Sequence, residues 1–145
     1  GVPPNLINLE ISEEVVTDNI EILTALMARL KKYGFLISMD DFGAGTASMN
    51  TLYHVPVDEL KLERKFLLGA EKTDRGKKVI GSIIEMAKRL NIKVVSEGVE
   101  NKAQAKMLKE LGCDMIQGFV FSEPLPIKEY EKFTYGPGAK ENKIW

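Results

Sequence analysis

Two adjacent acids, Asp40 and Asp41, close the apolar run "FLISM" and stand directly before a glycine-rich turn, "FGAG". Carboxylates side by side at the tip of a strand suit the holding of a hard divalent cation such as Mg²⁺ or Mn²⁺. They have company at other strand tips. Glu10 falls near the end of "LINLEI", Lys61 and Glu63 close "DELKLE", Glu97 closes "IKVVSE", and Gln117 belongs to "DMIQGF". The only histidine, His54, lies in a helix-to-strand connection, where a surface or packing role fits better than that of a metal ligand. A buried carboxylate is costly unless paired or metal-bound, so five runs tipped in this way are poorly explained by packing. Ordinary solvated strand ends would account for one such position, not for the set.

The elements that must position these groups follow from the hydrophobic period. Strand-like runs occupy 6–11, 35–40, 58–63, 92–97 and 114–119. After the first, Thr17, Asp18 or Asn19 can cap a helix in which Ile20, Leu23, Leu26, Met27 and Leu30 recur at steps of three and four, and Gly34 stops it. A short helix at 49–54 precedes Pro56. The polar stretch 71–78 leads into a helix whose stripe of Val79, Ile83, Met86, Ala87 and Leu90 reads as core, and Asn101 caps another with Ala105, Leu108 and Leu111 before Gly112. Such alternation describes βα units, whose crossovers build a parallel sheet. Val, Ile and Leu dominate the runs, as expected where both faces of a sheet are covered.

In a parallel sheet all strand C-termini lie on one side, so groups distant in sequence converge there. Neighbouring strand residues point to opposite faces, so Asp40 and Asp41 cannot both look inward if the strand continues through them. Gly43 and Gly45 let the chain turn at once and put both acids at the rim.

Bulk properties remove whole classes. At 145 residues with 20 basic and 21 acidic side chains, the net charge of -1 argues against a broad basic surface for a nucleic-acid polymer. Cys113 is the only cysteine, so no internal disulfide framework is expected and a reducing compartment is assumed. No secretory leader opens the sequence, and no apolar run approaches the roughly 18 residues of a membrane span, so no membrane contact by this segment and a cytoplasmic location are expected. The turn-rich tail at 134–145 lies outside the domain proposed for 1–133, apart from whatever Trp145 packs against.

Five blocks, "LEISEE" (9–14), "MDDFGAGTAS" (39–48), "VDELKLERKF" (57–66), "VVSEGVEN" (94–101) and "GCDMIQGFVFSEPLP" (112–126), resemble in order and spacing the later motifs of the EAL domain family, the phosphodiesterases that linearise cyclic di-GMP. The resemblance covers nearly all of 3–133. It implies an α/β, TIM-barrel-like parallel βα repeat, incomplete here as the later five units of the barrel. By resemblance, Glu10 and Asp40 are metal ligands and Asp41 helps to hold a second metal. Lys61 contacts the attacking water or a phosphate oxygen, Glu97 is the base or water-orienting carboxylate, and Gln117 is a further polar member. Glu13 steadies the loop after the paired acids. Mg²⁺ or Mn²⁺ is the implied cofactor, cyclic di-GMP the partner, and linear pGpG the product.

From the residues alone other roles stay open: Lys61 paired with Glu63 or Asp40, Gln117 satisfying backbone groups, and Glu14 as an exposed acid at a helix start. Two departures from the family stand out. The Glu-Ala-Leu strand and the later asparagine strand are missing, and a (βα)₈ barrel takes ~250 residues. The usual "DFGTGYSSL" reads "DFGAGTASM", with Ala44, Thr46 and Ala47 replacing a hydroxyl, a ring and a serine, while Glu63 replaces Asp and Ser96 often replaces Ala. Three functions follow: part of a phosphodiesterase domain that is not active as an isolated piece; a degenerate module binding the nucleotide or a protein; or an assembly module, with homodimerisation or association through the incomplete barrel flank.

Overall fold

Each apolar run forms a strand, and every strand pairs in parallel with the next. In the computed structural model, which describes residues 1–12, 20–43 and 48–137, the sheet contains β1 (Asn8–Ser12), β2 (Leu36–Phe42), β3 (Glu59–Leu62), β4 (Lys93–Ser96) and β5 (Met115–Ile116), ordered β1-β2-β3-β4-β5. The connections carry α1 (Ile20–Lys32), α2 (Ser48–His54), α3 (Arg64–Leu67), α4 (Asp74–Arg89) and α5 (Lys102–Glu110), and α6 (Ile127–Tyr135) follows the last strand. Strands in sequence order, each reached through a helix, are the later units of a βα barrel left open at the β1 and β5 edges.

Local chemistry fixes the ends of several elements. Asn101 Oδ1 accepts from the Gln104 amide at 3.0 Å, and Gln104 Oε1 accepts in return from the Asn101 amide at 3.4 Å, a reciprocal cap on α5. Thr73 Oγ1 accepts from Gly76 N at 3.0 Å and starts α4. Two strands begin alike. Asp58, just before β3, accepts from Ile37 N at 3.0 Å, and Asp114, just before β5, accepts from Val94 N at 2.9 Å. Each carboxylate lengthens the ladder by one bond, and Asp58 is also held by Lys31 at 2.6 Å.

Alternation along the strands divides the sheet into two unlike faces. Ile37 and Met39 of β2, Leu60 and Leu62 of β3, and Val94 of β4 join Met27, Ile80, Ile84, Ala87 and Leu108 of the helices in one buried core. The other face carries Asn8, Glu10, Ser38, Asp40, Glu59, Lys61 and Val95. The expectation of two apolar faces therefore needs correction: helices cover one face, and the inner face is polar because it carries the site.

Three further expectations are revised. β2 continues through both acids to Phe42 instead of stopping at Asp40, and a register shift between Met39 and Phe42 together with a positive φ of 55° at Asp41 resolves their alternation. In α1 the buried residue is Met27, while Leu26 is 48 % exposed. In α4 the core line is Ile80, Ile84 and Ala87; Ile83 and Met86 are half-buried against it, and Val79 and Leu90 are 46 % and 50 % exposed. Its apolar arc is wider than the contact with the sheet. The cap at 17–19, Glu13 and Glu14, and Ala44, Gly45, Thr46, Ala47 and Trp145 lie outside the described residues. The helix α6 has no buried residue, although Ile127, Tyr130 and Phe133 recur along it at steps of three; the sequence reading did not pick it out.

Candidate active site

Lys61 projects from β3, the central strand, onto the polar face, with a side chain only 9 % exposed. Its ammonium would be costly there without compensation. Three carboxylates from three other segments supply it. Nζ lies 2.8 Å from Glu10 Oε1 of β1, 2.8 Å from Glu97 Oε1 just beyond β4, and 3.2 Å from Asp40 Oδ1 of β2. Burial works against the charge of Lys61, but the hydrogen bonds from Glu10, Glu97 and Asp40 outweigh it and hold its pKa well above the ordinary value. The ammonium is a fixed positive charge with its three donors engaged.

Below this cluster lies a second polar row that sequence reasoning did not single out. Glu59 Oε1 accepts from Ser38 Oγ at 2.8 Å and from Asn8 Nδ2 at 3.1 Å, joining β1, β2 and β3. The signal was available: Glu59 is two residues before Lys61, hence on the same face.

Asp41 is separated from Asp40. Its positive φ directs it away from the lysine, into the lining of a cavity of about 560 Å³ shared with Glu63, Arg64, Glu97 and Gln117. A cleft of about 720 Å³ adjoins Glu10, Lys61, Gln117 and Phe119. Gln117 thus borders both spaces, and its backbone ties the strand ends together, with N donating to Ser96 O at 2.9 Å and O accepting from Val99 N at 3.0 Å. Two glycines permit this geometry. A Cβ on Gly118 would lie 2.2 Å from Val99 O, and one on Gly43, at φ +95°, would lie 1.9 Å from the ring of Phe66.

The structure thus brings Glu10, Asp40, Lys61 and Glu97 into direct contact and sets Asp41 and Gln117 on adjoining cavities. His54 is exposed at the end of α2, edge-on to Tyr53 with centroids 4.7 Å apart. Lys61 is paired with Asp40 but not with Glu63, whose Oε1 binds Lys65 at 2.9 Å. Glu63 Oε2 is buried without a hydrogen-bond partner among the described residues.

Hard oxygen donors and this orphaned oxygen suit a hard divalent cation in kind. The arrangement is nonetheless that of a carboxylate cluster balanced by an ammonium: among the described residues no three acidic, histidine or cysteine side chains form a ready cation site. Also among the described residues, no helix is long and apolar enough to cross a membrane.

Comparison with known proteins adds an independent line. A family model described as "EAL domain" matches residues 1–124. The chain is 38 % identical over 133 residues to the cyclic di-GMP phosphodiesterase NbdA of Pseudomonas aeruginosa, covering 92 % of this chain and 17 % of that protein. It is 37 % identical over 132 residues to the signaling protein YkoW of Bacillus subtilis, covering 91 % and 16 %. The chain therefore spans about a sixth of the length of these relatives. Among solved structures, the EAL domain of Mycobacterium smegmatis DcpA superposes with a TM-score of 0.86 at 32 % identity, covering 92 % of this chain and 60 % of that one. The PaMucR phosphodiesterase in complex with c-di-GMP gives 0.80 at 32 % identity, covering 89 % and 52 %.

Proposed function

Because this chain belongs to the EAL domain family, we propose that it is the later portion of a domain that hydrolyses cyclic di-GMP to linear pGpG in second-messenger signalling. One observation carries the reading: an ammonium from the central strand gathers carboxylates from three other segments at the mouth of two adjoining cavities. Glu10, Asp40 and Asp41 are the residues proposed to hold Mg²⁺ or Mn²⁺, which when bound would supply Lewis acidity toward the phosphodiester.

The chain's own residues would do the rest. Glu97 has Oε1 fixed on Lys61, which leaves Oε2 to take a proton from the attacking water. As the water oxygen bonds to phosphorus, the P–O3′ bond breaks and O3′ takes a proton from solvent, opening the ring, and Glu97 afterwards returns its proton to solvent. Lys61 would supply a fixed positive charge toward the charge that develops on the phosphoryl oxygens. Gln117, on both cavities, would orient the substrate or the water. Glu13, for which the resemblance implies loop support, keeps that role as part of the proposal.

Barrel strands beyond these five would be needed to complete the ligand set, so the isolated chain is proposed to be inactive. Association is placed at the open sheet edges, and a cytoplasmic setting suits the chemistry. The test is turnover by the full-length parent: metal-dependent conversion of cyclic di-GMP to pGpG is expected, and none at saturating substrate with Mg²⁺ or Mn²⁺ would reject the reading. A second reading, a module that binds cyclic di-GMP or a protein partner without hydrolysis, is favoured by the lack of a ready three-acid cation site among the described residues. Tight calorimetric binding of the nucleotide without turnover would support it.

A further inference from the structure

The two polar rows of the inner face repeat one geometry with the sense of the charge reversed. In the lower row Glu59 of β3 accepts from Asn8 of β1 at 3.1 Å and from Ser38 of β2 at 2.8 Å. In the upper row Lys61 of β3 donates to Glu10 of β1 at 2.8 Å and pairs with Asp40 of β2 at 3.2 Å. Both contacts from β1 span 51 positions, 8 to 59 and 10 to 61, and both from β2 span 21, 38 to 59 and 40 to 61. One alignment of three strands is therefore recorded twice. A carboxylate gathering neutral donors records it below, and an ammonium gathering carboxylates records it above.

The strand that needs such a record is β1. It lies at the edge of the sheet and none of its five residues is buried, so apolar packing holds its register only weakly. A slip by one residue is still forbidden, because it would turn Ile11, packed against the core, onto the polar face. A slip by two is not: every side chain keeps its face, and the backbone ladder re-forms two residues along. The lower row penalises that slip in both directions. Moved one way, Glu10 comes to Glu59 and like charges meet; moved the other, Leu6 comes to the Glu59 carboxylate and Asn8 takes the place of Glu10 at Lys61. Lys61 alone would not enforce the register, since Asp40 and Glu97 remain to balance its charge.

We infer that Glu59 is a positioning residue for the candidate active site: through Asn8 it holds the edge strand in the register that delivers Glu10 to Lys61, and through Ser38 it ties that register to the strand that carries Asp40. That Glu10 and Lys61 serve catalysis rests on the proposed function. The register does not, and a parent inactive toward cyclic di-GMP would leave the inference intact.

The test is a nuclear magnetic resonance reading of register on the 145-residue chain. Glu59→Leu removes the carboxylate on the face turned away from the core. Cross-strand nuclear Overhauser signals between Glu10 and Ser38, partners in the native register, are expected to fall several-fold, while those between Met39 and Leu60 and between Leu60 and Val94 persist. The Lys61 ammonium resonance should move with them, because one of its three carboxylates has been carried away. Glu59→Gln keeps an accepting oxygen for Asn8 and Ser38 and is expected to retain the native signals. Should Glu59→Leu fail to fold, Asn8→Ala cuts the β1 arm alone, at an exposed position, and is expected to weaken the same Glu10 signals. A residue that merely adds stability would lower the unfolding free energy and leave the folded chain's signals as they were. Undiminished Glu10–Ser38 signals with an unmoved Lys61 resonance in the first variant that folds, or failure of Glu59→Gln to retain them, would overturn the inference.

Discussion

Leu60 and Lys61 are neighbours on β3, both almost wholly buried, and they are stable there for different reasons. Leu60 faces the helices and is fixed by apolar packing, which is non-directional and is not screened by ions. Lys61 faces the inner side and is fixed by three carboxylates from separate strands, a directional arrangement that depends on charge. The helix-covered face resembles any α/β core and says nothing of function. The inner face concentrates ionic groups where an ordinary protein would have packed aliphatic ones, and that local cost marks the site.

The largest effect is expected on the apolar face. Leu60→Ala should cost about 2–5 kcal/mol in urea unfolding, unchanged by salt or divalent cations. A loss that shrank in Mg²⁺ would erase the distinction between the faces.

Lys61→Met comes next. It leaves Glu10, Asp40 and Glu97 without their counter-charge and should cost roughly 1–3 kcal/mol, less than for a fully buried pair because Glu10 is half exposed. Millimolar Mg²⁺ should recover much of the loss in a thermal melt, and no recovery would count against these carboxylates as cation ligands. The sign of the wild-type pH dependence follows from the raised pKa of Lys61. Its stabilisation is complete below the ordinary value of 10.5 and is lost only as pH climbs through the higher folded value, so the cluster should not loosen between neutral pH and about 10.

Asp58→Ala sharpens the comparison at the strand starts, below both faces. It removes the acceptor of Ile37 N and the partner of Lys31, with an expected loss of about 1–2 kcal/mol by chemical denaturation. Asp114→Ala should behave alike, with its effect read by amide exchange at Val94.

The smallest effect concerns Cys113, on the helix side. Burial raises its pKa to about 11, against weaker opposing hydrogen bonds from backbone groups. Its neutral thiol favours the folded chain fully below the ordinary value near 9 and loses that preference as pH approaches 11. Reaction with a thiol reagent at pH 8 should therefore be slow until denaturant is added, and rapid labelling of the folded chain would contradict this burial.

The alternation of the runs with helical periods predicted a parallel sheet, and the strand tips predicted Glu10, Asp40, Lys61, Glu97 and Gln117 as the polar set, because period and composition are properties of neighbouring residues. Alternation said that Asp40 and Asp41 part if the strand runs on, but not that it does, since that depends on a register shift in the pairing with β3 and a positive φ at Asp41. Glu59 escaped notice because its partners, Asn8 and Ser38, are distant in sequence. Of the α4 stripe read as core, Ala87 is buried and Ile83 and Met86 pack against the core, whereas Val79 and Leu90 are about half exposed, because periodicity identifies an apolar arc without saying how much of it the sheet covers.

By itself, the sequence determined the five strand segments, the longer helices between them, and which residue types stand at each strand tip; these follow from side-chain period and local capping. Tertiary structure alone decided that one lysine holds three carboxylates, that Asp41 turns to line a cavity while Asp40 stays on that lysine, and that part of an apolar helix remains uncovered. Each of those outcomes depends on strand register and on the distances between segments far apart in the chain, which pairwise packing sets and no local pattern encodes.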